Sequence, residues 1–303
     1  MYLANSLWVD SQTLWDQIEA LAKHLEPSYQ ALRKDVLASP LIHADETYWM
    51  MLSKGSSKKW YAWTMASAQT VYHRIFDSRS TAVAREMLGD YHGNVVADGY
   101  EPYQTVARAG PGGKGGYTLG FCWAHVRRKY VKAEPYAPTC TEVIDLIAKL
   151  YKIERDLPNP HIVTGAEQEV ALSQILEIRQ ARSAPVVEEI KAWAIRQQAL
   201  PESTLHKAIR YMMDLWHGLT EFLKNPWMPL DNNLVERQIR PLVVGRKNHY
   251  GSKSRRGTEV AALFYSLIET AQLRGEDPST YLQRAAMAAI ANPGTATLPE
   301  GKG

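Results

Sequence analysis

Cysteine is scarce in this chain of 303 residues, which contains only Cys122 and Cys140. Two cysteines exclude a disulfide framework and favour a reducing compartment such as the cytoplasm. The N-terminal segment MYLANSLWVDSQ lacks the basic and apolar regions of a secretory signal. No later stretch reaches the ~18 uninterrupted apolar residues needed to span a bilayer. We therefore predict a soluble cytoplasmic protein without a membrane partner.

Carboxylates are missing from two long stretches, although the net charge of the whole chain is only +3. The first runs from Pro102 to Ala133 and the second from Arg237 to Gly257. Cations without acidic neighbours can neutralise phosphates and release counterions, although a solvated basic surface has the same composition. The charges are Arg108, Lys114, Arg127, Arg128, Lys129 and Lys132 in the first stretch, and Arg237, Arg240, Arg246, Lys247, Lys253, Arg255 and Arg256 in the second.

A nucleotide-binding loop is also absent. The stretch GPGGKGG at residues 110–116 lacks the G-x-x-x-x-G-K-[ST] spacing of a P-loop. It therefore predicts a flexible loop and not a nucleotide-binding site. The sequence contains no internal repeat that would indicate a solenoid or a propeller.

The order of the predicted elements indicates an α/β fold. After a helical lead-in (residues 1–40, with a kink or break at Pro27) come three extended segments, 41–52, 60–67 and 70–78, with KGSSKK as the first turn. A helix capped by serine and the strand NVVADGY follow, and the right-handed crossover predicts that this strand lies parallel to the first. The pattern β-β-β-α-β is that of a ribonuclease-H-like mixed sheet.

The remaining chain is predominantly helical in pattern. We predict a first part of the catalytic core at 41–135, a large helical insertion at 136–230, a C-terminal part of the core with flanking helices at 231–292 and a flexible tail at 293–303.

Two aspartates occupy informative places in the predicted strands. Asp45 interrupts an apolar strand, and Asp98 follows the run Val95, Val96, Ala97. A strand position facing solvent would explain Asp45 alone, and an Asp-Gly turn would explain Asp98 alone. If the two strands are adjacent and parallel, both carboxylates emerge at the same edge of the sheet, where a divalent metal would relieve their repulsion.

Three other residues are ambiguous from spacing alone. Glu236 could complete a capping box with Asn233 or pair with Arg240 one turn later. Cys122 and His125 have the i, i+3 spacing of two ligands on a helix, but two ligands do not make a structural zinc site. We therefore expect Cys122 and His125 to have a structural role in packing beside the site.

Many short strings, in order from about residue 8 to about residue 290, resemble those of transposases of the insertion sequence sixty-six group. The most distinctive are HADET (43–47), VVADGYEPY, CWAHVRRKY, LDNNLVERQIRP and GRKN (245–248). The resemblance implies a DDE-type catalytic core, in which an Asp-Asp-Glu triad acts within a ribonuclease-H-like fold. Carried over by motif, the triad is Asp45, Asp98 and Glu236, which would be both the catalytic and the metal-binding residues.

The same resemblance implies a DNA transposase that cleaves transposon ends and transfers the strands into target DNA, using two Mg²⁺ or Mn²⁺ ions per site. Its implied partners are end and target DNA, further copies of the chain assembled on DNA, and accessory proteins of the same element. It also implies a bacterial enzyme that associates with the nucleoid. We expect DNA contacts from Arg127, Arg128, Lys129, Arg237, Arg240, Arg246 and Lys247.

One departure from the pattern concerns the N-terminus. Members of the group usually carry a longer N-terminal region with a cysteine-rich zinc-binding part, and this sequence has no such cysteine cluster. A truncated or catalytically impaired remnant that binds DNA is therefore an alternative. A nuclease of the same fold without strand transfer is another.

Overall fold

A computed structural model describes residues 10–53, 56–109 and 116–301 of the chain. The described residues include five strands, β1 (Leu41–Ser53), β2 (Ser56–Ala66), β3 (Val71–Phe76), β4 (Asn94–Ala97) and β5 (Thr118–Phe121). They form one mixed sheet in the order β3-β2-β1-β4-β5.

Strand pairing confirms the predicted crossover. β1 pairs parallel to β4, with Leu41 opposite Asn94 and His43 opposite Val96. β4 in turn pairs parallel to β5, from Asn94 opposite Thr118 to Ala97 opposite Phe121. β2 and β3 are antiparallel, as expected for strands joined by a short turn.

Helices make up most of the described chain, and none of those described is long and apolar enough to cross a bilayer. Along the chain, helices precede, separate and follow the strands, and a large helical insertion comes after β5. The molecule therefore has the ribonuclease-H-like α/β fold with helical elements. The helices are α1 (Ser11–Leu37), α2 (Thr81–Leu88), α3 (Glu101–Ala109), α4 (Trp123–Ala133), α5 (Cys140–Arg155), α6 (Gly165–Ile178), α7 (Ala184–Arg196), α8 (Thr204–Asp214), α9 (Trp216–Leu219), α10 (Asn233–His249), α11 (Arg255–Arg274) and α12 (Pro278–Ala291), with a π turn at Arg179–Ser183 and a 3-10 turn at Glu221–Leu223.

The chain divides into two compact units. The first comprises Met1–Ala38, Glu46–Ser78 and Gln238–Gly303, and the second comprises Ser39–Asp45 and Arg79–Arg237. In the first unit, a polar network lies inside the core: His73 Nε2 is 3.0 Å from Glu269 Oε2, and His73 Nδ1 is 2.8 Å from Thr64 Oγ1. These polar groups tolerate burial because they bond to one another.

The second unit has a large aromatic and aliphatic core formed by β4, β5 and the helices of the insertion. Tyr130 of α4 meets Trp193 of α7 edge to face at 5.5 Å, and the indole of Trp123 donates to the Leu219 carbonyl at 2.7 Å. Edge-to-face rings and a bonded indole are the arrangement expected of buried aromatic residues.

Local expectations were wrong in three places. The predicted turn KGSSKK is mostly strand, because β2 already begins at Ser56; Lys54 and Gly55 lie outside the described residues. Of the two alternatives predicted at Pro27, a kink or a break, the break is wrong, because α1 continues to Leu37. β5 and α3 were not predicted, since β5 has only 4 residues and shows no alternation. Residues 110–115 of the predicted glycine loop, including Lys114, lie outside the described residues.

Candidate active site

Three neighbouring parallel strands carry polar side chains at matching positions, just beyond the segments in which the strands pair. Asp45 and Asp98 each follow the paired residues His43 and Val96 by two positions, on β1 and β4 respectively. Cys122 comes directly after β5, and Asp98 comes directly after the residue that pairs with Phe121. Neighbouring strands lie about 4.8 Å apart. The register therefore aligns the two aspartates and the thiol along one edge of the sheet.

The backbone around Asp98 turns sharply at the end of β4. Gly99 has φ +95°, a backbone conformation that favours glycine, and a Cβ at this position would lie 2.7 Å from Leu215 Cδ1, so this side chain would also have to shift. The Asp98 carboxylate accepts the Tyr100 amide at 3.0 Å, and its carbonyl accepts the hydroxyl of Tyr211 at 2.8 Å. Asp98 therefore belongs to an Asp-Gly turn and also has a half-buried carboxylate, so the turn does not exclude a place in the candidate site.

Asn232 holds the start of α10, the helix that carries Glu236, against β1 and Cys122. The fully buried Asn232 amide donates to the Ala44 carbonyl at 2.8 Å, and its oxygen is 3.1 Å from His43 Nδ1. Its backbone N–H donates to Cys122 Sγ at 3.3 Å. Burial lowers the pKa of His43 to about 4, which keeps this imidazole neutral.

The Glu236 carboxylate lies against α4 rather than closing a capping box. α10 begins at Asn233, one residue earlier than a cap at that position would require, and the Asn233 side chain bonds to Asp231 instead. Glu236 Oε1 is 3.7 Å from His125 Nδ1, and Glu236 Oε2 is 3.5 Å from Arg128 Nη2.

Ligand-bearing atoms converge at Cys122, His125 and Glu236, where all three lie within 4.8 Å of one another. Among the described residues, Asp45, Asp98 and Glu236 do not form such a group. Burial lowers the pKa of His125, while the Glu236 and Asp98 charges act in the opposite direction. His125 is therefore electrostatically linked to both acidic residues. Burial also raises the pKa of the Cys122 thiol to about 12.

The predicted basic residues of α4 are exposed because the opposite face of this helix is buried. Val126, Tyr130 and Ala133 are fully buried, whereas Arg127, Arg128 and Lys129 face solvent. This stripe of apolar residues at helical spacing orients the three cations. The Lys129 ammonium lies 4.9 Å from the centre of the Tyr211 ring.

A surface cleft of about 520 Å³ adjoins the cations of α4. Its lining includes Arg127, Arg128, Arg155 and Asn233, together with Tyr151. Arg155 was not predicted, because it lies in the helical insertion next to acidic residues. Arg155 lies in the string LYKIERDL, but the charge pattern of this string gave no reason to select Arg155.

The predicted basic residues of α10 differ in exposure. Arg237, Arg240 and Lys247 are exposed. Arg246 is only 8% exposed, donates to Thr47 Oγ1 at 2.8 Å and to the Tyr48 carbonyl, and stacks over the Tyr48 ring with its central carbon 3.4 Å from the ring centre. These contacts connect α10 to β1. The Arg246 guanidinium is thus engaged within the protein, unlike the exposed cations of the same helix.

Comparison with known proteins identifies the family. Residues 1–260 match the family described as Transposase IS66 family, the insertion sequence sixty-six group. The chain is 30% identical over 298 residues to uncharacterized protein y4jD of Sinorhizobium fredii (strain NBRC 101917 / NGR234), covering 93% of this chain and 56% of that protein. It is 26% identical over 300 residues to uncharacterized protein y4hP of the same strain, covering 90% of this chain and 52% of that protein. The chain spans about half the length of these curated relatives. With most of its length matched, this chain belongs to the IS66 transposase family.

Proposed function

We propose that this chain is the catalytic core of a DDE-type DNA transposase that cuts element ends and joins them to target DNA in a metal-dependent reaction. The observation that carries the proposal is the register of the parallel strands β1 and β4, which aligns Asp45 with Asp98 just beyond the paired segment. Membership in a transposase family supports the reaction class.

Asp45, Asp98 and Glu236 would hold Mg²⁺ or Mn²⁺, two ions per site. The half-buried aspartates fit this role, because oxygen ligands suit these hard cations and two neighbouring carboxylates repel without one. When bound, the ions would activate the attacking oxygen and stabilise the leaving oxygen of an in-line displacement. Glu236 would complete the ligand set once its carboxylate leaves His125.

The chain's own cations would hold the DNA. The cleft lined by Arg127, Arg128 and Arg155 offers three guanidinium groups, of which that of Arg128 lies next to Glu236, and guanidinium groups bind phosphate in a bidentate manner. The exposed Lys129, Arg237, Arg240 and Lys247 could extend the contact to neighbouring phosphates. We also expect the active species to be a homo-oligomer on paired ends, with accessory proteins of the element as further partners.

The first experiment compares Asp45→Asn and Asp98→Asn with wild type in Mg²⁺-dependent cleavage of a supercoiled plasmid that carries the element's ends. Each substitution removes a ligand charge and should slow cleavage by roughly a thousandfold, equivalent to about 4 kcal/mol. Asp90→Asn, at an exposed position outside the site, is the matched control and should retain cleavage.

A second reaction separates a transposase from a nuclease of the same fold. A precut end with a free 3′-hydroxyl is incubated with plasmid DNA, and joined products are measured. We expect joining by wild type and by Asp90→Asn. Cleavage retained in both active-site variants would refute the triad, and cleavage without joining would identify a nuclease.

A further inference from the structure

The three side chains that meet at the carboxyl end of β5 form a donor set unlike that of the proposed catalytic ions. Cys122 offers a sulfur, His125 a nitrogen and Glu236 an oxygen, all within 4.8 Å of one another. Mg²⁺ prefers oxygen ligands in octahedral geometry, whereas thiolate and imidazole suit Zn²⁺. The residue types therefore point to a transition metal.

Two polar atoms of this group are buried without a hydrogen-bond partner, and they face each other. They are His125 Nδ1 and Glu236 Oε1. Their separation of 3.7 Å is too long for a hydrogen bond. In the tautomer with the proton on Nε2, His125 Nδ1 and Glu236 Oε1 are both acceptors, and a cation between them would supply the missing interaction.

The spacing of these atoms suits one small ion. Ligands bound to a tetrahedral zinc ion at Zn–N and Zn–O distances near 2.1 Å lie about 3.4 Å apart. The observed 3.7 Å between His125 Nδ1 and Glu236 Oε1 is close to that value. The N–H of Asn232 already donates to Cys122 Sγ at 3.3 Å, as an outer-shell donor would to a metal-bound thiolate.

We propose that Cys122, His125 and Glu236 form a second metal site, selective for Zn²⁺, which leaves a fourth coordination position open for water. Binding would convert the Cys122 thiol to a thiolate and release its proton to solvent. This inference rests on the proposed function in one respect: Glu236 cannot serve Zn²⁺ here and the catalytic aspartates at the same time. Zn²⁺ held at this site would therefore inhibit Mg²⁺-dependent cleavage.

Spectroscopy tests the site without any measurement of activity. The purified full chain is titrated with Co²⁺, a spectroscopic substitute for Zn²⁺, and thiolate-to-cobalt charge-transfer absorption is recorded. We expect this absorption in wild type, its disappearance on addition of Zn²⁺, and its loss in Cys122→Ser. Cys140→Ser is the matched control, because Cys140 is also buried but belongs to no such group, and it should keep the absorption.

His125→Gln provides a second variant at a partly exposed position, in case Cys122→Ser does not fold. It should weaken Co²⁺ binding on the order of 10–100-fold or more, since removal of a direct ligand costs at least as much as loss of an outer-shell partner. Asp98→Asn should keep the thiolate-to-cobalt absorption, because Asp98 supplies no ligand to this group. Absence of thiolate absorption in wild type, or its persistence in Cys122→Ser, would overturn the site.

Cleavage assays then test the inhibition. Zn²⁺ should inhibit cleavage by wild type and by Cys140→Ser, and it should no longer do so in Cys122→Ser. Equal inhibition of Cys122→Ser would refute the competition for Glu236. If wild type does not cleave DNA at all, the proposed function fails, while the cobalt titration still decides whether the metal site exists.

Discussion

Asn232→Ala should weaken both the fold and the reaction, because this one amide joins the start of α10 to β1. The substitution removes the donor to the Ala44 carbonyl and the acceptor near His43 Nδ1, two contacts at 2.8 and 3.1 Å inside the protein. Each buried group left without a partner costs about 1–3 kcal/mol, so the two together should cost roughly 2–6 kcal/mol. The backbone donation to Cys122 Sγ depends on the same segment remaining in place.

Urea unfolding followed by circular dichroism measures this cost. Asn233→Ala is the matched control: its side chain bonds only to the neighbouring Asp231 and is partly exposed, so it should cost less than about 1 kcal/mol. At a temperature where Asn232→Ala remains folded, we expect slower cleavage than in wild type, because Glu236 lies one turn beyond the lost contacts. Equal stabilities of the two variants would refute the positioning role of Asn232.

Three further predictions follow from other parts of the molecule. Arg155→Ala should reduce the salt dependence of DNA binding by about 0.9 in the slope of log K against log salt, whereas Lys152→Ala on the same helix, outside the cleft, should not change it if Arg155 contacts a phosphate. Glu269→Ala should lower the free energy of unfolding by about 1–3 kcal/mol, because it leaves His73 Nε2 buried without its hydrogen-bond partner; unchanged stability would contradict this. Gly251→Ala should cost at least about 2 kcal/mol in a urea titration, since this residue has φ +119° and a Cβ there would lie 2.0 Å from a backbone oxygen; unchanged stability would contradict it.

Strand order and pairing were predictable where the sequence carries long, patterned segments. The apolar run before Asp98 predicted a strand, and the helix that precedes this run predicted a crossover. Together they predicted that β4 lies parallel to β1, which the pairing confirms. β5 gave no such signal, because four residues after a glycine-rich stretch are too few for a recognisable period. Missing β5 also concealed the position of Cys122, which lies next to Asp98 in the register and not merely at the start of a helix.

The site residues were predictable to different degrees for a physical reason. Strand direction and one crossover predict that Asp45 and Asp98 lie on neighbouring strands, as the register shows, whereas their selection as catalytic candidates came from the resemblance. The surroundings of Glu236 depend on tertiary contacts that no local pattern contains, above all those of Asn232 with β1. Charge runs likewise identified Arg246 as a cation but could not reveal that its guanidinium is bonded to Thr47 and stacked on Tyr48.

The helical insertion supports the site rather than merely lengthening the chain between two acidic residues. Asp98 and Glu236 are separated by 236 − 98 = 138 positions, and the intervening helices contact the elements that carry both. Tyr211 donates to the Asp98 carbonyl at 2.8 Å, and Trp193 packs edge to face on Tyr130 of α4 at 5.5 Å. Because α4 also carries His125 and Arg128, which lie next to Glu236, replacing the insertion with a short linker would remove packing from the helix against which Glu236 lies. The insertion and the candidate site should therefore lose their structure together.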